Sequence, residues 1–284
     1  MNQPFQRISI LGGGLLGGSI ALALRGKTEV RLWFRKPDAV APALELGLDN
    51  ATSDLAEAVA QADLLILAVP VGAMPALLEA AIAAGLPADC LVTDVGSVKQ
   101  APHSSLAPFL KNCGNPFIGS HPMAGSEQNG LASAKAGLFD NAACLLTNDS
   151  GASDSLCERL ELFWQSLGCR IFWFSAAEHD QLVARISHLP HVIAAAGAQI
   201  ALENPEFGLF GGGGLRDTTR VASGNPAMWA EILIENREAV IPAIHETIAG
   251  LRDILASLEK PDQELARQWL TRAKELRDTL PGVS

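Results

Sequence analysis

The stretch Ser120-His121-Pro122-Met123-Ala124-Gly125-Ser126-Glu127 places an imidazole, two hydroxyls and a carboxylate within eight residues, directly after the short apolar run Phe117-Ile118-Gly119. An imidazole is the side chain best suited to take up a proton near neutral pH, and Pro122 and Gly125 argue for a loop rather than a continued strand or helix. Taken alone, the octapeptide favours a structural reading, because a lone His is more often a satisfied packing residue than a catalytic one. Two further stretches carry chemistry. In Ser187-His188-Leu189-Pro190-His191 the two imidazoles share a helix face and Pro190 should kink the helix, but no Glu or Cys accompanies them to complete a metal site, so no metal is expected. In Leu215-Arg216-Asp217-Thr218-Thr219-Arg220, which follows Gly211 to Gly214, Arg220 can hold a carboxylate through two parallel hydrogen bonds, with Asp217 steadying it.

The elements that must position these groups begin at Arg7 to Leu11, a short strand running into Gly12-Gly13-Gly14-Leu15-Leu16-Gly17, after which Ile20 to Leu24 takes up a helical pattern. This is G-x-G-x-x-G in its setting of strand, tight turn and helix: Gly12 permits the turn, Gly14 admits a pyrophosphate, and Gly17 allows close packing, while the N–H groups at Leu15 and Leu16 open the helix toward phosphate. A second strand, about Glu29 to Phe34, ends at Arg35-Lys36, where an NAD site usually shows a carboxylate for the adenosine ribose. Two cations there favour a 2′-phosphate, and so NADP over NAD. Helical segments at Asp38 to Leu46 and Asp54 to Ala60 precede Asp63 to Val69, an aliphatic run suited to a central parallel strand; it ends at Val69-Pro70, where a dinucleotide can cross the sheet edge. A helix over Met74 to Ala84 leads to the strand Cys90 to Asp94, then Val95-Gly96-Ser97-Val98-Lys99, a helix around Ser104 to Leu110, and the run that delivers His121.

Alternating strands and helices predict a parallel, doubly wound Rossmann-type sheet, in which ligands bind at the carboxyl ends of the strands. The glycine turn, Arg35, Pro70, Ser97 and His121 each follow a different predicted strand end, and that coincidence turns His121 from a structural residue into a catalytic candidate. Ala143 to Thr147 and Arg170 to Phe174 read as two more strands around a helix at Asp154 to Leu167. Beyond Ser175 the pattern is helical: Ala176 to Glu203, Pro226 to Leu258 and Pro261 to Leu280. The chain therefore divides into a dinucleotide-binding domain over 1–175 and a helical substrate and dimerisation domain over 176–284. Val192 to Ala198 is apolar nearly all round, which implies burial at the centre of a domain or a dimer, and Trp229 and Trp269 read as core.

Composition narrows the class. A net charge of −10 argues against nucleic acid or an anionic membrane as partner, and the apolar tract Ala62 to Ala88 is broken by Asp63, Pro70, Gly72, Pro75 and Gly85 into strand and helix rather than a membrane span. Five cysteines without C-x-x-C spacing read as reduced thiols, and with no export signal before the first strand the expected location is the cytoplasm.

Taken together, the chain resembles the prephenate and arogenate dehydrogenases of tyrosine biosynthesis. The resemblance rests on Gly12-x-Gly14-x-x-Gly17, Asp94 to Lys99, His121 to Glu127, Ser187 to His191 and Arg216 to Arg220, and it runs from Ile8 to about Leu258. It implies that His121 takes the proton of the ring hydroxyl while Ser97 orients both groups, that His191 and Arg220 meet substrate carboxylates, and that Ser126 and Glu127 lie on the substrate side, Glu127 as an ionic gate. It also implies a homodimer through the C-terminal helices. The reaction would be oxidative decarboxylation of prephenate or arogenate to 4-hydroxyphenylpyruvate or tyrosine, with hydride transfer to NAD(P)+. Two alternatives stand beside it. Another two-domain NADP-dependent hydroxyacid or imine dehydrogenase would commonly use a Lys or Asp on the interdomain helix. A non-catalytic dinucleotide sensor would need none of Ser97, His121, His191 and Arg220.

Overall fold

The computed structural model describes residues 4–125, 128 and 130–280. In chain order the elements are β1 (Arg7–Leu11), α1 (Leu15–Leu24), β2 (Glu29–Trp33), α2 (Val40–Glu45), β3 (Ala51–Thr52), α3 (Leu55–Val59), β4 (Leu64–Leu67), α4 (Met74–Ala83), β5 (Leu91–Asp94), α5 (Gln100–Cys113), β6 (Phe117–Pro122), β7 (Ala143–Thr147), α6 (Asp154–Ser166) and β8 (Arg170–Phe174). Helices α7 (Ala176–Val183), α8 (Leu189–Ala201), α9 (Gly213–Thr219), α10 (Pro226–Glu235), α11 (Arg237–Glu259) and α12 (Gln263–Asp278) follow. The chain packs as two compact units, Met1–Arg237 and Glu238–Ser284.

The sheet has eight strands in the order β3-β2-β1-β4-β5-β6-β7-β8, and β1 lies between β2 and β4, so the chain winds outward in both directions from its first strand. The doubly wound class holds, with one departure from an all-parallel sheet. β6 pairs parallel with β5 only at Phe117 and Ile118, and from Gly119 to Pro122 it pairs antiparallel with β7. His121 is therefore not in a loop. It stands opposite Leu145 at the end of an ordered strand, and the terminal Pro122 is tolerated opposite Cys144 at the strand's last position.

Period-two alternation sorts the aliphatic strands onto two cores. Ile8, Ile10, Leu64 and Ile66 pack with Ile20 and Leu24 of α1 and with Phe163 and Trp164 of α6, whereas Leu65, Leu67 and Val92 pack with Val59, Met74, Leu78 and Leu106 from α3, α4 and α5. The short two-residue β3 escaped the sequence pattern, and the long helix expected over Ala176 to Glu203 is interrupted. A π-helical turn, Ala184–His188, precedes Pro190, which lacks the N–H that would continue the α-helical ladder. Likewise Asn236 separates α10 from α11, and its side chain turns inward to donate to the Asp180 carbonyl at 2.8 Å.

At the centre of the rim, Asp94 and Lys99 form an ion pair with both side chains 0% exposed. The same carboxylate accepts from Gly96 N at 2.8 Å and Ser120 N at 3.2 Å, so it joins the end of β5, the following turn and the start of the His121 segment. Burial pushes the Lys99 ammonium down, and Asp94 beside it works against that shift. Removing one partner strands a buried charge, so Lys99→Met should lower the unfolding free energy by about 3–5 kcal/mol, and Asp94→Asn combined with Lys99→Met should recover much of it. Urea denaturation of the four-member cycle measures this, and a single variant as stable as the parent would show that the pair is not a keystone.

Candidate active site

A cavity of about 640 Å³ opens along the carboxyl rim of the sheet, and every residue lining it belongs to the first compact unit. It begins at Gly14, Leu15 and Leu16, passes Val69 and Pro70 and then the 95–98 turn, and reaches His121 to Gly125. Its other wall is built by Arg220, Gly224 and the α10 side chains Trp229, Glu231 and Glu235.

The nucleotide end follows from the glycines. Gly12 sits at φ +120°, where an L side chain is strained, and a Cβ there would run into the Ala68 carbonyl. At Gly14 the Cβ direction is open, and this residue caps α1 with no side chain bonded to the helix's first N–H groups. An open cradle at the positive end of a helix, facing a long cavity, fits the pyrophosphate of a dinucleotide. The Phe34 ring packs over Gly13, which places Arg35 and Lys36, both exposed, immediately beyond the glycine turn.

The chemical end is built around His121, which is 8% exposed. Its Nδ1 lies 2.9 Å from Nε2 of His179, and Nδ1 of His179 lies 2.8 Å from Oδ1 of Asp180. Asp180 accepts from the backbone N–H of Lys99 at 2.7 Å and of Gln100 at 3.0 Å, so α7 supplies the N-terminal cap that α5 lacks in its own sequence. Burial raises the Asp180 carboxyl, but the His179 and backbone donors outweigh it and hold the group below the usual range. Burial, then His179, Lys99 and His188, push the His121 imidazole well below its ordinary value, so near neutral pH it is an unprotonated acceptor.

The sequence-expected residues do not all meet at this wall. Ser97, His121 and Arg220 line one cavity with the nucleotide-end residues Gly14, Leu15, Leu16, Val69 and Pro70. Gly12 and Gly17 serve behind it as packing points of the turn. His191 stands a layer back, stacked on Trp229 with ring centroids 3.6 Å apart and 9° between planes, and its Nδ1 has no hydrogen-bond partner among the described residues. Asp217 is exposed on α9 and is not among the lining residues. Ser126 and Glu127 lie outside the described residues. Trp229, expected to be core, is a cavity wall instead, because the α10 face that carries it turns toward the rim and Glu231 of the same face accepts from Gly72 N at 2.5 Å. The sequence reading missed His179, Asp180, Glu231 and Glu235; no local pattern marks them, since His179 meets His121 across 58 residues, Asp180 meets Gln100 across 80 and Glu231 meets Gly72 across 159.

A cavity that starts at a nucleotide-binding turn and ends on an imidazole kept as a proton acceptor defines the class of dinucleotide-dependent dehydrogenases. Comparison with known families narrows it: residues 20–173 match the model for the prephenate dehydrogenase nucleotide-binding domain and residues 175–272 the model for the prephenate dehydrogenase dimerization domain. The chain belongs to the prephenate dehydrogenase family. It is 36% identical over 290 residues to the prephenate dehydrogenase of Bacillus subtilis, covering 99% of this chain and 78% of that one. It is 35% identical over 285 residues to the cyclohexadienyl dehydrogenase of Zymomonas mobilis, covering 96% and 95%. Among solved structures, prephenate dehydrogenase from A. aeolicus in complex with hydroxyphenyl propionate and NAD+ superposes with a TM-score of 0.86 at 29% identity, covering 96% of this chain and 97% of that one.

The buried imidazoles carry a consequence for stability. His121, His179 and His188 all have folded-state values below the ordinary 6.5, that of His188 at about 4, and burial is the first cause in each. Below pH 6.5 the unfolded chain binds protons that the folded chain excludes, so their contribution is complete above that pH and is lost as pH falls toward 4. The melting temperature should decline across this window, and His188→Gln, whose amide oxygen can still accept from Asn236, should show a shallower decline. An identical slope in the two proteins would refute the assignment.

Proposed function

We propose that this protein oxidatively decarboxylates prephenate or arogenate, with His121 as the base. The observation that carries the reading is His121 itself: a neutral imidazole in the wall of a cavity that begins at the nucleotide turn, in a chain of this family. When bound, an oxidised nicotinamide dinucleotide supplies the two-electron acceptor, and Gly14, Leu15 and Leu16 would hold its phosphates. The protein's own part is to orient the ring hydroxyl, receive its proton and exclude water. His121 takes the proton, Ser97 aligns the hydroxyl, and loss of the ring carboxylate as carbon dioxide aromatises the ring. Arg220 supplies a guanidinium to a substrate carboxylate. His191 acts with it from behind Trp229, and by the family resemblance Ser126 and Glu127 complete the substrate side and Asp217 supports Arg220.

The preference is for NADP. Arg35 and Lys36 follow β2 where a 2′-phosphate would lie, while the neighbouring carboxylates Asp54 and Glu57 are engaged, Asp54 by the N–H groups opening α3 and Glu57 by Thr52. The division of labour falls at Ser175, with 1–175 binding the dinucleotide and 176–284 supplying substrate contacts and the dimer. Ser175 itself begins the helical part through a reciprocal cap with Glu178. A homodimer is supported by apolar side chains left open in each unit: Ile200, Leu209 and Phe210 are 78%, 82% and 85% exposed in the first, and Leu255, Leu258 and Leu270 are exposed in the second. Among the described residues no helix is long and apolar enough to cross a membrane, and the reduced thiols of all five cysteines suit the cytoplasm.

Steady-state reduction of NADP+ with prephenate, and separately with arogenate, tests the reaction; turnover of neither would end the reading. His121→Asn should lower kcat by about 10²-fold with little change in KM, as for a lost general base. Arg35→Asp should move the ratio of kcat/KM for NADP+ over NAD+ toward NAD+ by about tenfold or more, the loss of one charge-assisted phosphate contact; an unmoved ratio would place the discrimination elsewhere.

A further inference from the structure

The chain His121, His179, Asp180 has only one consistent placement of its protons. Asp180 accepts two backbone N–H groups, from Lys99 and Gln100, and as a carboxylate it can donate nothing. His179 Nδ1, 2.8 Å from that carboxylate, must therefore carry the hydrogen. A neutral imidazole has one donor and one acceptor, so His179 Nε2 is the acceptor. The 2.9 Å contact between His179 Nε2 and His121 Nδ1 then requires His121 Nδ1 to donate. His121 is left with its lone pair on Nε2, the nitrogen not engaged by His179.

The reverse direction needs either a bare His179 nitrogen facing a carboxylate or a doubly protonated His179. The first sets lone pair against lone pair. The second is opposed by burial and by the nearby Lys99 ammonium, although Asp180 favours it.

We infer that His179 and Asp180 are positioning residues for His121: they lock the tautomer in which Nε2 is free to accept the substrate's proton, and they set the ring's orientation. The inference rests on the reading of His121 as the base. In the step itself the hydroxyl O–H bond breaks and an N–H bond forms at Nε2, while the Nδ1 proton stays in its bond to His179, so no second transfer is needed. The resulting imidazolium is disfavoured by burial first, and then by His179, Lys99 and His188. Asp180 is the carboxylate joined to it through hydrogen bonds, by way of His179. A fixed anion one ring removed offsets the new charge without binding the proton itself.

Two measurements on the full chain test this. In long-range ¹⁵N histidine spectra of the unliganded wild-type protein, His121 should show a protonated Nδ1 and a bare Nε2, and His179 likewise. The reverse tautomer at His121 would overturn the proposal, whether or not the protein turns over prephenate or arogenate. The second measurement compares His179→Gln with His179→Phe. A glutamine oxygen can accept from His121 while its NH₂ donates to Asp180, whereas phenylalanine keeps the ring shape and loses both bonds. His179→Phe should lower kcat by about 10²-fold with little change in KM, and His179→Gln should retain about tenfold more activity than His179→Phe. A packing role predicts the opposite order, and His179→Phe matching or exceeding His179→Gln would refute the assignment.

Discussion

The buried Asp94–Lys99 pair is the constraint on which the site depends. A carboxylate and an ammonium removed from water are costly unless each finds every partner it needs, and here the partners are the structural parts that must be held in register. Asp94 ends β5, binds the turn that carries Ser97 and accepts from Ser120, the residue before His121. Ser120 in turn meets Thr93 at 2.7 Å and accepts from the Trp164 indole at 3.0 Å. The backbone N–H of Lys99 is spent on Asp180, which orders His179. One charge pair thus lies between the Ser97 turn, the strand that carries His121 and the helix that backs the imidazole.

This arrangement reconciles two demands that usually conflict. A base working near neutral pH must be unprotonated, and burial together with the Lys99 ammonium favours that; the charge it then acquires must be tolerated, which burial opposes. Placing the anion at Asp180, one ring behind His121, lets the resting imidazole stay neutral while keeping a compensating charge within the hydrogen-bonded chain. The helix end at α5 gains as well, since the same carboxylate satisfies N–H groups that its own sequence leaves open.

The rim of the sheet also explains why the cavity is continuous. Because β1, β4, β5 and the first part of β6 are parallel, the glycine turn, Pro70, the Ser97 turn and His121 emerge at one edge. β6 then changes partner, pairing with β7 in the opposite sense, and this carries His121 past the end of β5 into the space under α10. The hydrogen bond from Gly72 to Glu231 and the Trp229 wall close that space from the helical side of the same unit.

Much of this was legible in the residues. Apolar runs located the strands, with Ala143 to Thr147 and Arg170 to Phe174 found at their observed limits: the first is a buried aliphatic run, and the second, at the sheet edge with Phe172 and Trp173 exposed, is marked by its β-branched and aromatic residues. The glycine turn and the gathering of Ser97 and His121 on one rim follow from strand order, itself a consequence of chain chirality. What the sequence could not contain was pairing between distant groups. His179 and Asp180 lie on a helix whose local pattern is that of any amphipathic segment, and only folding brings His179 to His121 and Asp180 to the start of α5. Trp229 reads as core by type, yet its place on a cavity wall depends on which way α10 turns. The linear order of residues determined the nucleotide turn, every strand but β3 and the candidate base; the tertiary structure alone decided which groups touch that base, because a hydrogen bond across 58 residues has no local signature.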